Sequence, residues 1–206
     1  MKIYIKKTDS FTADEYEKYY SMMSEKRKNA VDRLRNQNDK IRSVLGEATV
    51  RRSIAERFNV SESEVIFDRT EKGKPFCVNF DICFGISHSK EYVAAAVSEH
   101  NVGIDIEKIR QVEARVTKIA CDERDKGFVF NNLPRDNFDE NSKKRFFLLW
   151  TAKEAYFKFC GTGIVKLQDV SYYDIKDNCT VFEGDGYIMT VYSEKENGNY
   201  ELINMA

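Results

Sequence analysis

Apolar positions along the chain switch between two periods, two residues and about 3.6 residues, and the switches divide it into elements. Residues 1–7 put Ile3 and Ile5 on one face, as in a strand. Thr12 and Glu15 have the spacing of a capping box, ahead of Tyr16, Tyr19, Tyr20 and Met23 at helical spacing. Residues 24–29 open a further helix carrying Ala30, Val31 and Leu34. A longer helix is predicted over 39–58, with Ile41, Val44, Leu45, Ala48, Ala55 and Phe58 as its buried stripe and Arg42, Arg51, Arg52 and Arg57 mainly outside it. Gly46 inside it costs about 1 kcal/mol relative to alanine, which suggests a close backbone approach.

Alternation returns with a short strand at 65–67, a Gly73-Lys74-Pro75 turn, and strands at 82–87 and 92–97 joined by His88-Ser89-Lys90-Glu91. These strands would form an antiparallel meander on the long helix. Helical spacing resumes over 112–130, then a polar loop over 133–141, then a helix that Ser142 would cap and Gly161 would end. Strands are expected near 169–174, 179–182, 187–192 and 200–204.

The order "helices, then meander" thus occurs twice. It predicts an α+β fold of two similar lobes, 1–103 and 104–206, tightly fused into one unit. Each lobe would hold a helix and a small antiparallel sheet, related by a pseudo-twofold with the active site between them.

At the junction stands Asn101-Val102-Gly103-Ile104-Asp105-Ile106-Glu107. Val102, Ile104 and Ile106 point one way along a strand, and Gly103, Asp105 and Glu107 the other. Two carboxylates on one face repel unless a proton or cation lies between them, and hard oxygen ligands favour Mg²⁺ or Mn²⁺. On the second long helix Trp150, Glu154 and Lys158 follow at four-residue steps, with Lys153 beside them. An exposed Glu154–Lys158 pair would be worth a few tenths of a kcal/mol; the tryptophan in the same stripe points instead to a partly buried cleft.

The net charge of −1 gives no global field toward nucleic acid or membrane. Five cysteines, scattered and without CxxC spacing, suit a reducing compartment. With no apolar signal region and no membrane-spanning run, the expected location is the cytoplasm.

The segments 102–107 and 150–158, with Gly73-Lys74-Pro75 and Phe84-Gly85-Ile86-Ser87-His88-Ser89 upstream, resemble the signature of the 4′-phosphopantetheinyl transferases, in their monomeric two-lobed type. The resemblance implies Mg²⁺-dependent transfer of the phosphopantetheine arm of coenzyme A to a serine of an acyl or peptidyl carrier protein. It places the Mg²⁺ (or Mn²⁺) on Asp105, Glu107 and Glu154. It makes Glu154 the first candidate for the proton acceptor and Glu123 the second, with Lys158 and Lys153 neutralising the diphosphate or orienting Glu154. By the same likeness Ser87 and His88 grip the coenzyme's 3′-phosphate, and Lys74, Lys26 and Arg42 complete the basic pocket, with Ser43 as a further donor. Ile109 and Asn29 depart from the family pattern, where a hydroxyl and a lysine occur in relatives. Arg51, Arg52, Lys143, Lys144 and Arg145 are candidate charges for docking an acidic carrier. Two other readings use the same residues: a metal-dependent phosphohydrolase of a nucleotide diphosphate, and a silent module that binds coenzyme A or the carrier.

Overall fold

In a computed structural model, which describes residues 1–131, 133–134, 138–163, 166–195 and 199–205, the chain opens with strand β1 (Lys2–Lys7). Helix α1 (Ala13–Ser21) starts at the Thr12/Glu15 capping box. Helices α2 (Glu25–Asp32) and α3 (Gln37–Phe58) follow, capped by Ser24 and Asn36. A two-stranded ribbon, β2 (Phe67–Arg69) with β3 (Pro75–Cys77), leads into the hairpin β4 (Cys83–Ser89) and β5 (Tyr92–Ser98). The acidic strand is β6 (Gly103–Lys108). Helices α4 (Thr117–Ala120), α5 (Glu123–Phe130), α6 (Glu140–Cys160) and α7 (Tyr172–Ile175) come next, and then strands β7 (Cys179–Gly184), β8 (Tyr187–Tyr192) and β9 (Glu201–Met205).

Two sheets carry the lobes of this α+β fold. The first has the order β4-β5-β1-β9 and the second β6-β8-β7. Strand β5 is buried along its whole length because both faces of its sheet are covered. Val93, Ala95 and Val97 turn toward α3, with Val50 and Ile54 beneath them. Tyr92, Ala94 and Ala96, together with Ile3 and Ile5, meet Ile104, Ile106, Met189 and Val191 of the second sheet. Burial of each aliphatic side chain in this shared core contributes about 1.5–3 kcal/mol, so the lobes are joined by core rather than by a linker. Gly46 does mark a close approach: a Cβ there would stand 2.6 Å from Ile86 Cγ2. Helix α6 lies on β6 and β8 as α3 lies on β5.

Several local expectations change. Strand β9 is found where the alternation places it, but it pairs in parallel with β1, so the last strand of the second half completes the sheet of the first. No strand forms over 169–174. A 3-10 turn (Leu167–Asp169) and α7 stand there instead, because the buried carboxylate of Asp125 accepts the Tyr172 N–H at 2.9 Å and starts a helical turn. The single helix expected over 112–130 breaks at Cys121-Asp122, where Asp122 adopts extended backbone and caps α5. The N-cap of α6 is Asp139, not Ser142; Ser142 supplies the N–H that Asp139 accepts. Residues 135–137 of the expected polar loop lie outside the described residues. Strand β4 runs on through His88 and Ser89, and the turn shrinks to Lys90-Glu91, with Lys90 left-handed at φ 55°. No helix among the described residues is long and apolar enough to cross a membrane.

Candidate active site

Strand β6 fixes the position of the acids, and Gly103 fixes the position of β6. A Cβ on Gly103 would stand 1.9 Å from the Ala155 carbonyl oxygen and 2.6 Å from the Phe159 nitrogen, both in the backbone of α6. Only glycine lets strand and helix come this close, and that approach brings Glu154 and Lys158 beside the acidic face of β6.

Asp105 is only 5% exposed. Its Oδ1 accepts from Ser87 Oγ at 2.7 Å and from Lys158 Nζ at 2.6 Å, and Lys158 Nζ also donates to Ser87 Oγ at 2.9 Å. Its Oδ2 is buried and has no hydrogen-bond partner among the described residues. Glu107 Oε2 accepts from Ser89 Oγ at 2.7 Å and from Arg110 Nη1 at 2.6 Å. Glu154 is half-buried. Its pKa is held above 4.5 by that burial first and then by the Asp105 charge, opposed by Lys158, with Glu107 adding to the rise. The three acids therefore sense one another from two separate segments of the chain.

Beside them runs a groove of about 430 Å³, walled by Glu154, Phe157 and Lys158 of α6, Gly85 and Ile86 of β4, and the Lys72–Pro75 turn. A second cavity of about 310 Å³ shares Pro75, Phe84 and Ile86 with it and opens toward Lys26 and Arg69. Across β4 from Ser87, His88 is crowded by protein although its surface is open. Desolvation, then the Arg42 and Lys158 charges, hold its pKa below 6.5. Arg42 Nη1 donates to the Lys90 carbonyl at 2.6 Å and its Nη2 pairs with Asp39, while its buried Nε has no acceptor among the described residues.

Other residues singled out in the sequence fall elsewhere. Lys153 is not in the groove. It is 0% exposed and donates to the carbonyls of Ala120 at 2.7 Å and Leu167 at 3.0 Å, and to the equally buried Asp125. Helical rotation between residues 153 and 154 points them to different neighbours. Lys153→Met would leave Asp125 buried without its partner and should lower stability by about 3–5 kcal/mol in urea unfolding; a loss below about 1 kcal/mol would contradict this account of the pair.

Lys74 lines the groove with its stem, but its Nζ donates to Asn101 Oδ1 at 2.7 Å and to the Phe159 carbonyl at 2.9 Å, which satisfies the end of α6. Ser43 accepts from Arg27 Nη2 at 2.6 Å. The Lys26 side chain is 79% exposed at the second cavity, 3.7 Å from Asp68. Glu123 sits in the first turn of α5, with Lys126 Nζ at 2.7 Å, and is not among the groove's walls. Of the proposed docking charges, Arg51 and Lys143 are buried. Arg52 donates to the Tyr19 hydroxyl at 2.7 Å and Arg145 to the Val129 carbonyl at 2.8 Å, which leaves Lys144 the freest.

Two residues to which the sequence assigns no role contact the acids, Ser89 and Arg110. Ser89 carried a usable signal: Ser87-x-Ser89 has the same two-residue period as Asp105-x-Glu107. Arg110, just past the end of β6, carried none.

Among the described residues no three His, Cys, Asp or Glu side chains form a closed metal-ligand set; Lys158 and Arg110 supply the positive charge at Asp105 and Glu107. The donors nonetheless fit a hard divalent cation. Asp105 Oδ2 is buried with no partner among the described residues, and the Asp105 and Glu107 charges both disfavour the ionised form of Glu154.

Known proteins resemble this chain along both of its halves. A family model described as "4'-phosphopantetheinyl transferase superfamily" matches residues 101–198, and one described as "4'-phosphopantetheinyl transferase, N-terminal" matches residues 10–100. The 4'-phosphopantetheinyl transferase gsp of Aneurinibacillus migulanus is 38% identical over 144 residues, 70% of this chain and 58% of its own length. The 4'-phosphopantetheinyl transferase Sfp of Bacillus subtilis (strain 168) is 30% identical over 166 residues, 80% of this chain and 72% of its own length. The 4'-phosphopantetheinyl transferase psf-1 of Bacillus pumilus is 31% identical over 160 residues, 76% of this chain and 65% of its own length. The chain thus spans less than two thirds of the Aneurinibacillus and Bacillus pumilus relatives.

Proposed function

Since the chain belongs to the 4′-phosphopantetheinyl transferase superfamily, we propose that it moves the phosphopantetheine arm of coenzyme A onto a serine hydroxyl of an acyl or peptidyl carrier protein. The serine oxygen bonds to the phosphorus that bears the arm, the phosphoanhydride bond breaks, and adenosine 3′,5′-bisphosphate leaves. One observation carries the reading: two buried atoms of opposite character have no hydrogen-bond partner among the described residues. Asp105 Oδ2 has no donor and Arg42 Nε no acceptor; Lys158 pairs with Asp105, and the Arg42 and Lys158 charges both act on His88. A magnesium diphosphate offers a cation to the first and an anionic oxygen to the second.

Asp105, Glu107 and Glu154 would hold the Mg²⁺, or Mn²⁺ in its place. Bound there, the ion would supply charge neutralisation for the diphosphate. Lys158, fixed by Ser87 and Asp105, presents its ammonium at the groove wall. Glu154, whose pKa is raised, is a stronger base than an ordinary glutamate and is the proposed acceptor of the serine proton. The functional unit we propose is a monomer acting in the cytoplasm. Coenzyme A, Mg²⁺ and an apo carrier, followed by intact-protein mass spectrometry, test the reading. A mass gain of one phosphopantetheine supports it. Nucleotide release without a carrier would favour a phosphohydrolase instead.

Glu154 also predicts a trade of stability for function. A carboxylate whose folded pKa is raised destabilises the native state as pH climbs from its unfolded value through the folded one. Above that window, Glu154→Gln in EDTA should therefore melt higher than the native protein while losing transfer. The gain should shrink as pH falls below the ordinary glutamate range, where the carboxyl takes up its proton. An unchanged or lower melting temperature at pH 8 would contradict it.

A further inference from the structure

The hydroxyls of β4 repeat the spacing of the acids on β6. Ser87 and Ser89 share one strand face, Asp105 and Glu107 share another, and the two faces meet where β4 and β6 run side by side. Each hydroxyl donates to one carboxylate at 2.7 Å, Ser87 to Asp105 Oδ1 and Ser89 to Glu107 Oε2. In each acid one oxygen is tied and the other is not. Among the described residues, Asp105 Oδ2 is buried without a partner and Glu107 Oε1 receives no hydrogen bond. Ser89 is held in turn: its Oγ accepts the Lys108 N–H at 3.2 Å, which leaves the hydroxyl proton directed at Glu107.

We propose that Ser87 and Ser89 are positioning residues that decide which oxygen Asp105 and Glu107 present to a divalent cation. The inference rests on the cation reading given above. A carboxylate with two equivalent, unrestrained oxygens must lose rotational freedom when it binds an ion; one tied by a hydroxyl has already lost it. Hydrogen bonds of this kind behind a metal ligand typically change affinity 10–100-fold. Ser87 also holds Lys158, so its removal would disturb two charges at once. Ser89 is 8% exposed, makes no hydrogen bond to Lys158 among the described residues and does not line the groove, so its removal leaves that lysine's partners in place.

The test is a Mn²⁺ titration of the full chain without nucleotide, followed by the paramagnetic resonance signal of the free ion. Ser89→Ala should bind Mn²⁺ about tenfold more weakly than the native protein, and Ser89→Thr, which keeps the hydroxyl, within about twofold of it. Melting curves in EDTA should place all three proteins together, which separates aiming of the ligand from loss of packing. Equal affinity in Ser89→Ala and the native protein would overturn the inference and leave the cation reading standing. Equal weakening in Ser89→Ala and Ser89→Thr would overturn it as well, because the hydroxyl would not be the cause. No Mn²⁺ binding by the native protein at millimolar concentrations would remove the cation reading itself.

Discussion

Asp105→Ala should load a carrier at least about a thousandfold more slowly than the native enzyme, the scale of about 4 kcal/mol lost when a preorganised charge partner of the transition state is removed. The variant should still fold. Lys158 would lose its ion-pair partner but is 35% exposed, so its ammonium regains water, and Ser87 can still accept from it. A melting temperature within a few degrees of native, together with the kinetic loss, would separate chemistry from stability. Activity within about tenfold of native would contradict the role given to this carboxylate.

Gly103→Ala is the larger structural blow. The added Cβ would overlap backbone atoms of α6, at 1.9 Å from one and 2.6 Å from another, and backbone cannot swing aside as a side-chain tip can. Strand and helix would have to separate, which widens the shared core and pulls Asp105 and Glu107 away from Glu154. We expect a loss of about 3 kcal/mol, or ~6–12 °C in melting temperature for a chain of this size. Carrier loading should fall with it even at temperatures where the variant stays folded. A variant that melts with the native protein would show that β6 and α6 are not held together as described.

Much of this architecture was legible because period and chemistry agreed. The alternation through Ile104, Asp105 and Ile106 states which face is core and which is acidic, and the strand has that orientation. The four-residue step from Glu154 to Lys158 places both at the groove. What sequence could not show was pairing between distant elements. Nothing in residues 201–205 says that they join β1 in parallel rather than β7 nearby, since the hydrogen bonds of a strand edge carry no side-chain signal.

The two lysines of α6 teach the same lesson. Lys153 and Lys158 look alike in sequence, yet Lys153 is closed off by Asp125 and two carbonyls, and Lys158 reaches the acids. Local spacing fixes their angular positions on the helix, but only the fold says that α5 covers one side and the groove opens on the other. Arg51 was misplaced for a related reason. An arginine outside the apolar stripe normally faces water, but Glu47 and the carbonyls of Glu62 and Val65 give this one a buried polar seat.

The most direct test remains the carrier assay. Native protein, coenzyme A and Mg²⁺ incubated with a panel of apo carriers should raise the mass of at least one of them by a single phosphopantetheine on its serine, and EDTA should prevent the gain. No mass change on any carrier, from protein shown to be folded and to bind coenzyme A, would contradict the account.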